Sequence, residues 1–201
     1  MSARTFMAGI LGGVTMFVWM FIAHMVLPLG EAGVKGIPDE PPVLNAMKAS
    51  MGAGSGVYVF PGTGLPPNAT ADQRNAAMRD YNGKLAASPS GFLVYHGPGA
   101  TFNFPKTLGI EFALEIVEAL LAAWLLSMTF LTGILARAAF VSIVGVVAAI
   151  ATNVSYWNWY SFSGTYTAAY VFTQAAGFLG AGLVMAAIMR GKTSVPARAA
   201  A

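Results

Sequence analysis

Four long apolar runs constrain the fold of this chain more than any other feature. They cover residues 6–27, 108–131, 135–156 and 166–189. An α-helix of about 20 apolar residues is long enough to cross the hydrocarbon core of a bilayer. Charged residues make up only 9% of the chain, against roughly 25% in soluble domains. The sequence therefore predicts an all-α integral membrane protein that sits in the lipid bilayer.

The runs also predict how the chain is divided. We expect transmembrane helices at 1–28, 107–131, 135–156 and 165–190, packed as a four-transmembrane-helix bundle, and a tail at 191–201. A long segment at 29–106 separates the first two helices. The first run has the alternative interpretation of a signal peptide, but it is long for one and only Arg4 flanks it.

The segment at 29–106 is too long for a simple connection. The stretches PPVLNAMKAS and ADQRNAAMRDYNGKL predict two short helices, and GVYVFPG (56–62) and GFLVYHG (91–97) predict two short strands that end in Gly/Pro turns. We therefore expect a small α/β extracytoplasmic cap between helices 1 and 2. A loosely ordered loop is the alternative, because two strands alone are marginally stable.

Charge predicts the orientation in the membrane. The basic residues that flank the spans on one side, with no acid among them, are Arg4, Arg137, Arg190, Lys192 and Arg198. The positive-inside rule then places both termini in the cytoplasm and the segment at 29–106 outside. The chain has no basic cluster or RNA-binding signature, so no nucleic-acid partner is expected.

Small residues recur four apart on three of the predicted spans, and such spacing lets helix backbones approach closely in lipid. The sets are Gly9 and Gly13 on the first, Gly145, Ala149 and Asn153 on the third, and Thr173, Gly177 and Ala181 on the fourth. We expect these faces to be where the helices pack.

The second run carries three carboxylates, Glu111, Glu115 and Glu118. At about 100° per residue they fall within an arc of roughly 60°, on a seam that continues through Ala122, Leu125 and Thr129. Each acid near the centre of a span opposes insertion by about 2.5–3.5 kcal/mol, so we expect all three to point into the bundle. Either protons or a cation must then neutralise them, because no basic residue lies at this depth.

Other polar residues are predicted at the same level. His24, Asn153 and Gln174 lie in the outer halves of their spans, so we expect an outward-facing acidic pocket that is closed at its base. Carboxylate–imidazole sets suit a divalent transition-metal ion. Glu111, Glu115, Glu118 and His24 are therefore candidate metal ligands, with Asn153 and Gln174 lining the pocket. In the alternative, protonated glutamates bond to neighbouring side chains and only lock the helices together.

His96 is the other histidine, and it follows the second predicted strand. If the cap covers the pocket, His96 is a further candidate metal ligand. A surface histidine in a turn is the alternative. The chain has no cysteine and no motif of a hydrolase, zincin or phosphate-binding loop, so neither catalytic nor organic-cofactor residues are assigned.

Three functions follow from the pocket. The first is a module that binds a cation, a metal ion or a proton. The second is a structural or accessory subunit, in a homo-oligomer or beside a partner membrane subunit, whose carboxylates meet a basic residue of the partner. A metal-dependent membrane enzyme is the third, and the thin catalytic signatures favour it least.

Four phrases of the chain carry a family resemblance: HMVLPLG, VYVFPG, FLVYHGPG and YWNWYSF. They resemble a group of bacterial four-span inner-membrane proteins to which no activity is assigned. The resemblance implies a bacterial inner membrane, with residues 29–106 in the periplasm. It supplies no catalytic residues, so function is argued from the site.

Overall fold

A computed structural model describes residues 1–190 of the protein, and the tail predicted at 191–201 lies outside these residues. The chain divides into two compact units. We call the first the helical unit; it contains Met1–Lys35, Asn103–Asn158 and the chain from Phe162 onward. The second, the α/β unit, contains Gly36–Phe102 and the short segment Trp159–Ser161.

Helices account for most of the described chain. In order they are α1 (Ala3–Phe21), α2 (Glu40–Met51), α3 (Ala71–Ala87), α4 (Phe104–Ser127), α5 (Ile134–Ala149), α6 (Ser155–Tyr160) and α7 (Gly164–Ile188). The strands are β1 (Gly56–Phe60) and β2 (Gly91–Tyr95). Two π-helical turns extend the long helices, Ile22–Val26 after α1 and Ile150–Val154 between α5 and α6.

Three helical stretches in the described part of the chain are long and apolar enough to cross a membrane: Ala3–Val26, Ile134–Tyr160 and Gly164–Ile188. They support the predicted membrane setting, while the inner membrane and the orientation stay predictions. α4 has the length of a span but carries three glutamates, and it is not among these stretches. The prediction of four spans is therefore not confirmed by length and composition.

α1 packs between α4 and α7 through small residues. A Cβ at Gly13 would lie 2.7 Å from Cα of Ile116 on α4, and one at Gly9 would lie 2.9 Å from Cα of Leu120. On another face of α1, a Cβ at Gly12 would lie 2.6 Å from Cε of Met185 on α7. At Gly9 and Gly13 the close neighbours are backbone atoms, so only glycine permits these approaches, which confirms the Gly9–Gly13 face as a packing face.

The predicted small faces of the third and fourth spans also pack. Phe178 of α7 covers Gly145 of α5, where a Cβ would lie 2.5 Å from the ring. The indole Nε1 of Trp19 donates to the carbonyl of Thr173 at 2.8 Å and ties α1 to α7. The helices thus neighbour one another in the order α4, α1, α7, α5, and α4 makes few contacts with α5 or α7. A closed four-helix bundle is not supported, because α4 and α5 scarcely contact.

The α/β unit has the elements that its sequence predicts. β1 and β2 pair antiparallel, with Gly56 opposite Tyr95 and Phe60 opposite Gly91. α3 begins with a capping box, in which the Thr70 hydroxyl accepts from the Gln73 amide and the Gln73 side chain accepts from the Thr70 amide. Short apolar runs that end in Gly/Pro turns were sufficient to place the two strands.

Candidate functional site

α4 turns one of its three glutamates into the helical unit. Glu115 is only 4% exposed, whereas Glu111 and Glu118 are exposed. The buried face of α4 continues from Glu115 through Ala119, Ala122, Ala123 and Leu126. The expectation that all three acids point inward is therefore wrong for Glu111 and Glu118.

The side on which α1 packs against α4 explains why Glu115 is buried while Glu111 and Glu118 are exposed. Seen down the helix, Glu111 and Glu118 lie about 40° and 60° from Glu115, on the same side of it. α1 packs on the opposite side, against Ile116 and Leu120. The buried face therefore coincides with the predicted seam only in part: Ala122 of that seam is buried, whereas Leu125 is 39% exposed.

Contacts along α1 give the depth of the acids. The rings of Phe17 and Phe112 meet edge to face, with centroids 5.1 Å apart. Gly13 lies against the backbone of Glu115, where a Cβ would be 2.9 Å from the carbonyl oxygen. Gly13 is close to the middle of the candidate span Ala3–Val26. Glu115 therefore lies level with the middle of a membrane span, deeper than the outer half that we expected.

One oxygen of Glu115 has no partner. Its Oε2 atom is buried and accepts no hydrogen bond from any described residue. A buried polar atom without a partner costs about 1–3 kcal/mol, and more when the group is charged. The basic residues of the candidate spans, Arg4 and Arg137, lie in the first turns of their helices, far from this depth. Glu115 is thus buried without a basic side chain to neutralise it.

Polar groups from α5–α6 and α7 come near the acids. Glu115 and Glu118 lie within electrostatic range of each other. The hydroxyl of Tyr170 lies close to the side-chain amides of Asn153 and Gln174 and within electrostatic range of Glu118. We call these five residues the polar cluster. Tyr170 therefore connects the two predicted lining residues with Glu118, and Glu118 in turn lies near Glu115.

Asn153 is only 4% exposed and lies in the π-helical turn Ile150–Val154. Its Nδ2 atom donates to Oγ1 of Thr152 at 3.0 Å. Its side chain also hydrogen-bonds the Tyr170 hydroxyl of α7. π-helical turns inside α-helices are frequent at functional sites, because the extra residue redirects a side chain. The position of Asn153 in such a turn fits a site residue.

Sequence reasoning missed Tyr170 and Thr167. Both lie on the face of α7 that carries Gln174, at spacings of three and four residues. Thr167 is 9% exposed, and its Oγ1 is a second buried atom that lacks a partner among the described residues. The signal was present in the sequence as a polar i, i+3, i+7 pattern on a mostly apolar helix.

His24 lies apart from the polar cluster. It is exposed in the π-helical turn Ile22–Val26, and its ring covers Gly30, where a Cβ would be 2.7 Å from Nδ1. Because Phe17 meets Phe112, His24 lies two helical turns, about 10 Å, beyond the level of Phe112. The structure does not bring this imidazole to Glu115.

The predicted metal site is not supported. No group of three or more His, Cys, Asp or Glu side chains stands close enough to hold a metal ion within residues 1–190. His96 is exposed in the α/β unit, directly after β2, where its neighbour Tyr95 is buried and donates to the carbonyl of Gly52 at 2.9 Å. His96 therefore fits the alternative of a surface histidine after a strand better than it fits a metal ligand.

The chain was compared with protein-family models, curated proteins and solved structures. None of them matches it. The resemblance to bacterial four-span inner-membrane proteins therefore stays a prediction. The geometry of the polar cluster is the basis for assigning a function.

Proposed function

We propose that the chain is an integral membrane protein whose helical unit binds one cation, a proton or a hard metal ion, at Glu115. The observation that carries this proposal is the buried Oε2 atom of Glu115, which lacks a partner among the described residues. Polar groups at the middle of a membrane span are costly and are commonly functional. A proton or a bound cation would supply the missing partner.

The proposal includes α4 as a fourth span. α4 has 24 residues and is therefore about 36 Å long, enough to cross the hydrocarbon core. It runs beside the candidate span Ala3–Val26, with contacts at Gly9, Gly13 and Phe17. Its glutamates oppose insertion, and close packing against α1 and a neutralised Glu115 would offset part of that cost.

The chemistry of the polar cluster favours a proton or a hard cation. Carboxylate and amide oxygens suit the hard cations Mg²⁺ and Ca²⁺, whereas transition metals such as Zn²⁺ are held by imidazole or thiolate as well. Glu115, Asn153 and Gln174 offer only oxygen ligands, and His24 lies apart from them. A divalent transition-metal cofactor is therefore not favoured. A metal-dependent enzyme, which would need such a cofactor, is the least supported of the three functions.

The test uses the purified protein in detergent. Infrared difference spectra between acid and alkaline pH are expected to show a carboxyl C=O band that disappears on deprotonation. Glu115→Gln should remove one such band, because the amide neither gains nor loses a proton. Elemental analysis of the same samples decides between the cations: a near-stoichiometric metal that Glu115→Gln abolishes assigns a metal ion, and its absence assigns the proton.

Glu111→Gln is the matched control. Glu111 lies one turn from Glu115 on the same helix, is exposed and lies outside the polar cluster, so its substitution should leave the band and the metal content of Glu115 in place. Spectra and metal content that are the same in wild type and Glu115→Gln would show that Glu115 binds neither cation.

A specific observation favours the accessory-subunit function as second candidate. Glu111 and Glu118 are exposed on α4 at the depth of a membrane span, and α4 makes few contacts with α5. Exposed carboxylates are expensive in lipid. A basic residue on a helix of a partner subunit would neutralise them, and such a partner should copurify from native membranes in mild detergent.

The double variant Glu111→Gln/Glu118→Gln tests this second function. We expect it to release the partner, because truncating one side of a membrane ion pair removes the charge attraction, while Glu115→Gln retains the partner. A protein that elutes alone from native membranes in both wild type and variant would exclude this function and leave the cation site unaffected.

A further inference from the structure

A polar pocket opens at the end of the helical unit where α1 begins. Its volume is about 250 Å³, and its polar lining comes from Arg4, Arg137, Ser2, Thr5, Ser127 and Thr129. Two of these side chains are basic, four carry hydroxyls, and none of the lining residues is acidic. This set of donors suits an anion.

Arg137 holds the base of the pocket in place. Its Nε atom donates to the carbonyl of Leu131 at 2.9 Å, and its Nη1 atom donates to the carbonyl of Met189 at 2.9 Å. A guanidinium has five N–H donors in a fixed fork, so these two bonds leave donors available. The two carbonyls fix the orientation of the guanidinium. No carboxylate among the lining residues neutralises its positive charge.

The start of α1 adds to the positive potential. Ser2 caps the helix: its Oγ atom accepts from the Thr5 amide at 3.1 Å and lies 2.9 Å from Oγ1 of Thr5. α1 has 19 residues, and the N-terminus of such a helix carries about half a positive charge and free N–H groups. Arg4, in the first turn, extends from the same place and is exposed.

The depth of the pocket indicates where the anion comes from. The candidate span Ala3–Val26 begins here, so the pocket lies at the end of a span, where lipid headgroups lie. Basic pockets between transmembrane helices bind anionic headgroups. Apolar Leu126 and Met189 line the same pocket and suit the start of an acyl chain better than open water.

From these contacts we propose that the pocket between Arg4 and Arg137 binds a phosphate group, which a phospholipid headgroup supplies. The Arg137 guanidinium offers its fork to two phosphate oxygens, and Arg4 and the first N–H groups of α1 face the others. The site is separate from the polar cluster and does not depend on cation binding at Glu115.

Thermal unfolding of the purified protein in detergent tests the proposal. Titration with phosphatidylglycerol should raise the unfolding temperature, and titration with diacylglycerol, which lacks the phosphate, should not. Arg4→Gln and Arg137→Lys should each weaken the apparent binding of phosphatidylglycerol about tenfold, because each removes charge-assisted bonds to the phosphate. Inorganic phosphate in place of lipid decides the source: stabilisation by phosphatidylglycerol alone assigns the lipid, and equal stabilisation by both assigns free phosphate.

Lys106→Gln is the control, since it removes one positive charge near the other end of α4 and should bind as wild type does. Arg4 is exposed, so Arg4→Gln should leave the fold intact and remains informative even if Arg137→Lys unfolds the protein. Equal stabilisation of wild type and Arg4→Gln, or no stabilisation by phosphatidylglycerol or phosphate, would overturn the proposal.

Discussion

Gly13→Ala is expected to destabilise the helical unit by about 1–3 kcal/mol, the usual cost of overpacking a well-packed interior. A Cβ at this position would lie 2.7 Å from Cα of Ile116 and 2.9 Å from the carbonyl oxygen of Glu115. Both neighbours are backbone atoms, so no side-chain rotation relieves the clash, and α1 and α4 must move apart. Thermal unfolding in detergent, with size-exclusion profiles as a check on folding, measures the effect.

The direction of the stability change in Gly13→Ala is informative because the intrinsic helix propensities of alanine and glycine predict the opposite direction. Alanine stabilises a helix by about 1 kcal/mol relative to glycine. Gly109→Ala, in the first half of α4, is the matched control, because a Cβ there would meet nothing within 4 Å. We expect Gly109→Ala to be neutral or slightly stabilising. An increase in stability for both variants would mean that α1 and α4 do not pack as closely as the structure has them.

The sequence was a good guide wherever one local signal determines the structure. Apolar runs and their Gly/Pro boundaries predicted the long helices, β1 and β2. Small residues four apart predicted the packing faces at Gly13 and Gly145, because only such residues allow two backbones to meet in lipid. Burial of Glu115 followed from the cost of an acid at the middle of a span.

The details of the candidate site were not predicted, because they depend on contacts between helices, which the sequence of one helix does not determine. The rotation of α4 follows from the side on which α1 packs, and a turn of about 40–60° was enough to leave Glu111 and Glu118 exposed. His24 was placed by continuing the α-helical spacing of α1. The π-helical turn at Ile22–Val26 breaks that spacing, and the ring lies over Gly30 instead. The contact of Tyr170 with Asn153 depends on how α7 packs beside the π-helical turn, so the sequence did not predict it.

Glu115→Leu is expected to stabilise the helical unit by about 1–3 kcal/mol while it abolishes cation binding. Leucine has a similar volume and removes the buried Oε2 atom, which has no partner among the described residues and so carries the full penalty of desolvation. Replacing buried ionisable groups with well-packed apolar ones is often neutral or stabilising. Thermal unfolding in detergent, without added cation and at fixed pH, measures the stability.

This prediction separates a functional acid from one that only holds the helices together. If Glu115 served as a packing bond, leucine would break it, and the variant would lose about 0.6–2 kcal/mol, as other polar bonds between membrane helices do. A gain in stability together with a loss of binding would mean that the chain keeps an unfavourable acid for its chemistry. Glu118→Leu is the control: Glu118 is exposed, so its substitution should change the stability little in detergent. A destabilised Glu115→Leu would contradict the cation site and favour the structural function of the carboxyl.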